Sequence, residues 1–409
     1  MKRLLLLISV IAVLLGSCTR RNADDLLKSV PLSSGYVALV SLQSLEKNEV
    51  AENALPSRFQ LLLSPEAGLD PGAPMLIFEF KGATILSFYV KKGDGFKKYL
   101  EKNGVSFASL KGLQYATDNT VFISGNRVWM APEYPEVHAS DILTLQGLAT
   151  HESFMASPMA EKLLNSEDDI TLCVDFNRLL GSSWNSDSRL ALNIIFDDPA
   201  YGLGSFNFEA TEIIGEVRVL DSHGRPSHLA LQLNSISPDG LKDFEGRGNV
   251  FAAVSPSSAT IGALLSQLKG LPMIPSDLTS IISRLEGDIL CAAWVEPCSS
   301  SLRSLSLMLT FSSGEAAADC ARFLNSLSGG DGLSASASGV HCTVIYGESS
   351  GEPFPEALMG SDSFLFFSAL PAFFNCEAPG SLNDLASSCT LRLKEIDGEP
   401  VFTTEITLK

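Results

Sequence analysis

Tyr36-Val37-Ala38-Leu39-Val40-Ser41 is an apolar run of strand length, and Val250-Phe251-Ala252-Ala253-Val254-Ser255 reads as a second copy of it, with Gly35 and Gly248 nearby. The offset is 254 − 40 = 214. A second pair of runs keeps that spacing: Met75-Leu76-Ile77-Phe78-Glu79-Phe80 and Ile289-Leu290-Cys291-Ala292-Ala293-Trp294, where 294 − 80 is again 214. Each second run leads into a further strand candidate, at 84–90 and at 304–311.

A helix is expected next in both copies. In the first, Asp94 is a candidate cap, Phe96, Tyr99 and Leu100 make an apolar stripe, and Asn103-Gly104 supply the stop. In the second, Ser312 or Ser313 is the cap, Ala317, Cys320, Ala321 and Leu324 recur at helical spacing, and Gly329-Gly330 end it. Strands at 120–123 and 127–131 close the first copy, and strands at 340–346 and 363–369 the second.

The pattern predicts an α+β fold: two related modules of mainly antiparallel sheet with packed helices, joined by a β-rich middle region. The modules cover 30–140 and 246–409, and the middle region 141–245. Within that region Ser157-Pro158 should open a helix at 159–164. Strands are expected at 170–176, 205–208, 211–220 and 227–233, the last two joined across Asp221-Ser222-His223-Gly224-Arg225-Pro226. Asp397-Gly398, between 390–396 and 401–408, is a hairpin signal.

The first residues carry an address. Met1-Lys2-Arg3 is followed by an apolar run over 4–15, broken only by Ser9, and then by Gly16-Ser17-Cys18. This is the layout of a secretory signal, with an apolar run too short to span a bilayer. Leu15-Gly16-Ser17-Cys18 has the form of a lipobox, so residues 1–17 are expected to be removed and Cys18 to be lipidated. Each buried methylene of the lipid adds roughly 0.8 kcal/mol of bilayer affinity. Residues 18–29 are polar at first and lack periodicity, so they are expected to form a tether. Thr19 after the cysteine favours the outer membrane, and Arg20-Arg21 favour its periplasmic face over the cell surface.

Charge excludes one class of partner. The chain's net charge of −18 falls to −20 once Lys2 and Arg3 leave with the leader. Such a surface repels phosphate backbones, and no basic stripe interleaved with aromatics offsets it, so no nucleic acid is expected as a partner. Apart from Cys18 the cysteines are Cys173, Cys291, Cys298, Cys320, Cys342, Cys376 and Cys389. The last six allow fifteen pairings in an oxidising compartment, and buried free thiols are the competing reading.

Several of these landmarks carry a resemblance. Val30-Pro31-Leu32-Ser33-Ser34-Gly35-Tyr36-Val37-Ala38-Leu39-Val40 resembles the opening of lipoproteins in the domain-of-unknown-function 4836 family of Bacteroides-type bacteria. Ser153-Phe154-Met155-Ala156-Ser157-Pro158, the Asp168-Asp169-Ile170 that precedes a strand, and 206–208 ahead of the long hairpin are similar to that family's middle signature. The resemblance spans nearly the whole mature chain and implies an exported lipoprotein of this layout. It implies no activity and supplies no functional residues.

A search for chemistry finds no constellation. His138, His151, His223, His228 and His341 form no HExxH or other close metal pair, and His223 and His228 straddle a turn. His151-Glu152-Ser153 holds triad residue types side by side, but a triad is assembled across a fold. His341-Cys342 sits in a strand candidate, where successive side chains point to opposite faces. Asp168-Asp169 and Asp197-Asp198 read as turn acids, and Gly202-x-Gly204 precedes a strand, so no nucleotide site is expected. Phe364, Phe366, Phe367, Phe373 and Phe374, with Trp129 and Trp294, read as core, with an apolar groove as the alternative. The expectation is a membrane-anchored, non-enzymatic envelope protein that binds or scaffolds a partner, without cofactor, metal or catalytic residues. An apolar or glycan ligand is the next reading, and a hydrolase with an unrecognised site the third.

Overall fold

The computed structural model describes residues 23–45, 64–131, 136–179, 192–209, 211–237, 241–268, 276–296, 301–327, 332–348, 350–355, 362–370 and 386–408. Cys18 and the leader, Cys298, Cys376, Phe373, Phe374 and the expected stop at Gly329-Gly330 lie outside them. The fold is α+β and mostly antiparallel sheet. The chain divides into two compact units, Met1–Leu190 with Asp198–Pro226, and Ala191–Asp197 with Ser227–Lys409.

The first unit contains α1 (Ala23–Leu27), β1 (Tyr36–Val40), β2 (Met75–Phe80), β3 (Ala83–Tyr89), α2 (Gly93–Lys102), β4 (Phe107–Leu110), β5 (Leu113–Ala116), β6 (Val121–Ser124) and β7 (Arg127–Met130). It continues with α3 (Ala139–Gln146), α4 (Ala160–Asn165), β8 (Ile170–Asp175), α5 (Phe176–Leu179), β9 (Tyr201–Phe208) and β10 (Glu212–Leu220). Antiparallel pairing gives the order β4-β5-β6-β7-β3-β2-β1-β8-β9-β10. Val37, Ala38, Leu39 and Val40 are fully buried, which explains the unbroken apolar run of β1: both faces of this central strand are covered. Leu39, Leu76, Phe78 and Trp129 share a core with Leu26, Leu27, Ile142 and Leu163 from the helices.

Strand and helix expectations in this unit hold closely, with three corrections. First, residues 23–29 are not tether. Ala23–Leu27 is a helix, and Leu26, Leu27 and Val30 are fully buried, since the polar look of the segment hid one apolar face. Second, Asp94 does not cap α2: the N-cap is Lys92, with no side-chain cap, and Asp94 sits in the first turn, where its charge suits the helix dipole. Third, no strand forms at 227–233. Pro226 lacks an amide proton, so the ladder ends at a single Leu220–Pro226 bridge, and β10 pairs with β9 instead. The middle-region strands β8, β9 and β10 therefore extend the first unit's own sheet. The β4–β5 hairpin was not expected. It turns on Lys111-Gly112, both at positive φ, a weaker sequence signal than Asn-Gly.

The second unit contains β11 (Val250–Val254), α6 (Ser258–Leu268), α7 (Ser276–Ile282), β12 (Leu285–Val295), β13 (Leu302–Phe311), α8 (Gly314–Leu327), β14 (Leu333–Ser338), β15 (His341–Tyr346), β16 (Leu365–Ala369), β17 (Ala386–Ile396) and β18 (Glu399–Leu408). Its order is β14-β15-β13-β12-β11-β16-β17-β18. Ser313 Oγ accepts from Ala316 N at 3.2 Å, making Ser313 the capping residue of α8. Asp397 and Gly398 turn the β17–β18 hairpin with φ of 55° and 82°. Phe251, Leu290, Met308 and Phe366 pack with Phe354 in one cluster, and Ala317, Cys320, Cys342 and Val344 lie in another beneath α8.

Candidate functional site

The first unit carries a cleft of about 210 Å³, lined by Leu32, Ser34, Phe154, Ala156, Ser157, Pro158, Cys173, Asp175, Arg178 and Tyr201. Two irregular segments and one sheet edge build it. Leu32 N donates to Glu152 O at 2.8 Å and Phe154 N to Val30 O at 2.7 Å, joining the loop before β1 to the turns before α4. Ser157 Oγ accepts from Met159 N at 3.2 Å in the turn before α4, but the N-cap of α4 is Met159, two residues beyond the expected Ser157, and it has no side-chain cap. Asp175 N donates to Gly35 O at 2.8 Å at the end of β8, and Tyr201 faces Asp175 across the β8–β9 ladder.

The cleft is apolar on one side and polar on the other. Asp175 accepts from Arg178 N at 3.1 Å and pairs with Arg178 Nε at 3.0 Å, so one carboxylate both starts α5 and holds the cation. Arg178 keeps 40% of its side chain exposed, against 17% for Asp175. Burial pushes the Tyr201 phenol up, and the Asp175 charge adds to it. Burial likewise pushes the Cys173 thiol far up, with Asp175 again adding, so Cys173 is a neutral apolar group and not a nucleophile. Ser34 is 3% exposed, and its Oγ has no hydrogen-bond partner among the described residues. A buried hydroxyl left unpaired costs about 1–3 kcal/mol, which a ligand able to hydrogen-bond there would recover. No sequence motif marked this hydroxyl; the loop around it did. The stretches that carry the family resemblance, 30–40 and 153–158, meet in this cleft through Leu32, Ser34, Phe154, Ala156, Ser157 and Pro158.

The other sequence candidates are dispersed. His138 precedes α3 and its ring contacts Asn119 Nδ2; His223 lies in the Asp221 turn; His341 contacts Thr310. His151, in a short turn with Glu152, is exposed, while Ser153 is buried with its Oγ donating to Thr150 O. Asp168 and Asp169 bond to Asn207 and to Phe208 N, tying the start of β8 to β9. Phe366 is fully buried, as the core reading required. Among the described residues no three His, Cys, Asp or Glu side chains gather as a metal site, and no helix is long and apolar enough to cross a membrane.

No family model matches the chain, and no curated protein matches it. Among solved structures, crystal form IV of TP0453 is similar with a TM-score of 0.32 at 10% identity, covering 48% of this chain and 83% of that one. The DNA polymerase III beta subunit of Thermotoga maritima has a TM-score of 0.14 at 10% identity, covering 100% of this chain and 98% of that one. At such scores neither likeness carries a statement about this protein. What can be stated is its class, an α+β protein dominated by antiparallel sheet.

Proposed function

We propose that the chain is an exported lipoprotein, as its family resemblance implies, anchored through Cys18 and holding a non-enzymatic binding or scaffold body at the bacterial envelope. The observation that carries this reading is the Leu15-Gly16-Ser17-Cys18 lipobox behind the apolar run over 4–15, and the first described helix is tied down just beyond it. Chain ends are ordinarily loose unless something ties them down. Here α1 buries Leu26 and Leu27, and Arg127 donates to the carbonyl oxygens of Asp25 and Leu26 at 3.1 and 3.2 Å. A cation at the last carbonyls of a helix offsets their partial negative charge. Residues 19–22 alone separate the proposed lipid-bearing Cys18 from the helix that begins at Ala23, against the tether of 18–29 expected from sequence.

The body itself reads as two copies of one module. Supporting this, Val40 faces Met75 and Val254 faces Ile289, so the offset of 214 survives across a strand pair. The ladder Leu76-Leu39-Thr171-Ser205-Glu216 has a counterpart in Leu290-Ala253-Phe366-Arg392-Thr403. A Cβ on Gly93 would lie 1.8 Å from Gly125 O, and one on Gly314 2.9 Å from Gly339 O; Gly125 and Gly339 share a φ of 57°. One detail of the sequence match changes: β16 corresponds to β8 and not to the strand at 127–131.

The cleft is where binding is expected. At about 210 Å³ it falls below the roughly 300–1,000 Å³ of ordinary small-molecule pockets. It suits one or two side chains of a protein partner better than a lipid chain. Pull-down from solubilised envelopes tests this with the lipidated protein and its Arg178→Ala and Phe154→Ala variants. A partner captured by the first and lost by the variants is expected. A co-purifying lipid with no protein would overturn the reading.

A further inference from the structure

The second unit holds two cysteines that the fold brings together. Cys320 lies on α8 and Cys342 on β15, 22 positions apart in the chain. Both belong to the same apolar cluster, at 4% and 0% exposure, and their thiols are within hydrogen-bonding reach of each other. Cys173, Cys291 and Cys389 are the other free thiols among the described residues. Ala316, Ala317, Ala321 and Val344 belong to the same apolar cluster, and the charge of Arg284 reaches Cys320.

We propose that Cys320 and Cys342 are joined by a disulfide in the exported protein, the bond pinning α8 to the sheet. This rests on the export reading, because such bonds persist in oxidising compartments and are rare elsewhere. The oxidant is an exported dithiol–disulfide oxidoreductase. One thiolate of the pair attacks the oxidant's disulfide, forming a mixed disulfide and releasing one of its thiols. The other thiolate then displaces the second sulfur, so one S–S bond forms here, the oxidant is reduced to a dithiol, and both protons are carried away on it. The Cys342 thiol is pushed up by its hydrogen bond with Cys320 and by burial, whereas Cys320 is lowered, chiefly by that bond and also by the charge of Arg284. Since both sulfurs are buried in the finished fold, exchange takes place before α8 docks.

Two preparations test this together. Protein from intact cells is quenched in acid, alkylated under denaturing conditions and digested without reductant, with the fractions of the cells recorded. A second sample is unfolded, reduced and refolded in a buffer of reduced and oxidised glutathione. Both should give a peptide pair linked through Cys320 and Cys342, lost in Cys320→Ser and in Cys342→Ser. Reductant should lower the thermal midpoint of the native chain by several degrees and leave either variant unmoved. Free thiols or another pairing after refolding would overturn the geometry. A link formed on refolding but absent from cells would also overturn the proposal; cytoplasmic protein in that case would place the fault in the export reading, and envelope protein in the pair itself.

Discussion

The guanidinium of Arg127 donates to the carbonyl oxygen of Leu26, 3.2 Å away across 101 positions of chain. The same side chain reaches Ser29 Oγ, donates from Nε to Ser87 Oγ at 3.0 Å, and stacks 4.6 Å from the centre of the Trp129 ring. It thereby connects the first helix to β3 and β7. Burial lowers its pKa to about 10, so the cation is held by dipoles and a ring more than by a paired carboxylate.

Arg127→Met should destabilise the first unit by about 2 kcal/mol, the scale of hydrogen bonds to a charged group. Hydrogen exchange should rise at 24–30 before it rises elsewhere. Arg127→Lys keeps the charge and loses the planar fork, so it should fall between the two. Urea unfolding with peptide-level exchange measures both effects.

Removing the unpaired hydroxyl in the cleft should help folding while harming binding. Ser34→Ala is expected to raise stability by up to about 1 kcal/mol, since a buried unsatisfied group disappears. Arg178→Ala should change stability by less than about 1 kcal/mol, because its pairing with Asp175 is partly exposed. Chemical unfolding of each variant, set beside its pull-down, separates the two effects.

The starting glycines of α2 and α8 differ in how tightly they are enclosed. Gly93→Ala drives a methyl into a backbone carbonyl and should cost about 3 kcal/mol, while Gly314→Ala meets a looser approach and should cost about 1 kcal/mol. Thermal unfolding of the two single variants orders them. Equal costs would speak against the close approach at Gly125.

Acid should act on the turn after β10. Hydrogen bonds from Arg225 N, first, and from the Arg225 side chain and His223 N hold Asp221 at about 2, below the ordinary carboxylate value of 3.8. A depressed carboxylate stabilises the fold above its unfolded pKa and loses that contribution as pH falls, here between about 4 and 2. Asp221→Asn should lack this component, read as a shallower acid limb when circular dichroism is followed from pH 5 to 2.

Much of the fold was legible because β1 and most of β2 are buried on both faces, and burial leaves unbroken apolar runs such as Val37–Val40, whereas β11 alternates between buried and half-buried positions. The short helix α1 was hidden because five residues cannot display helical period, and its apolar face shows only against a core that lies far along the chain. The 227–233 stretch alternates like a strand, yet Pro226 denies it a ladder. The cleft was illegible as chemistry. Ser34 matters through the partner it lacks, and no spacing in a sequence records that. Leu32, Ser34 and Phe154–Ser157 drew notice only as soft landmarks, and the loop pairing through Val30 and Glu152 is what brings them together.

The central claim is the anchor at Cys18, and the N-terminal peptide of envelope-purified protein tests it most directly by mass spectrometry. The account predicts a peptide that begins at Cys18 and carries a thioether-linked diacylglycerol and a further acyl chain. A peptide that retains residues 1–17, or one with an unmodified Cys18, would contradict it.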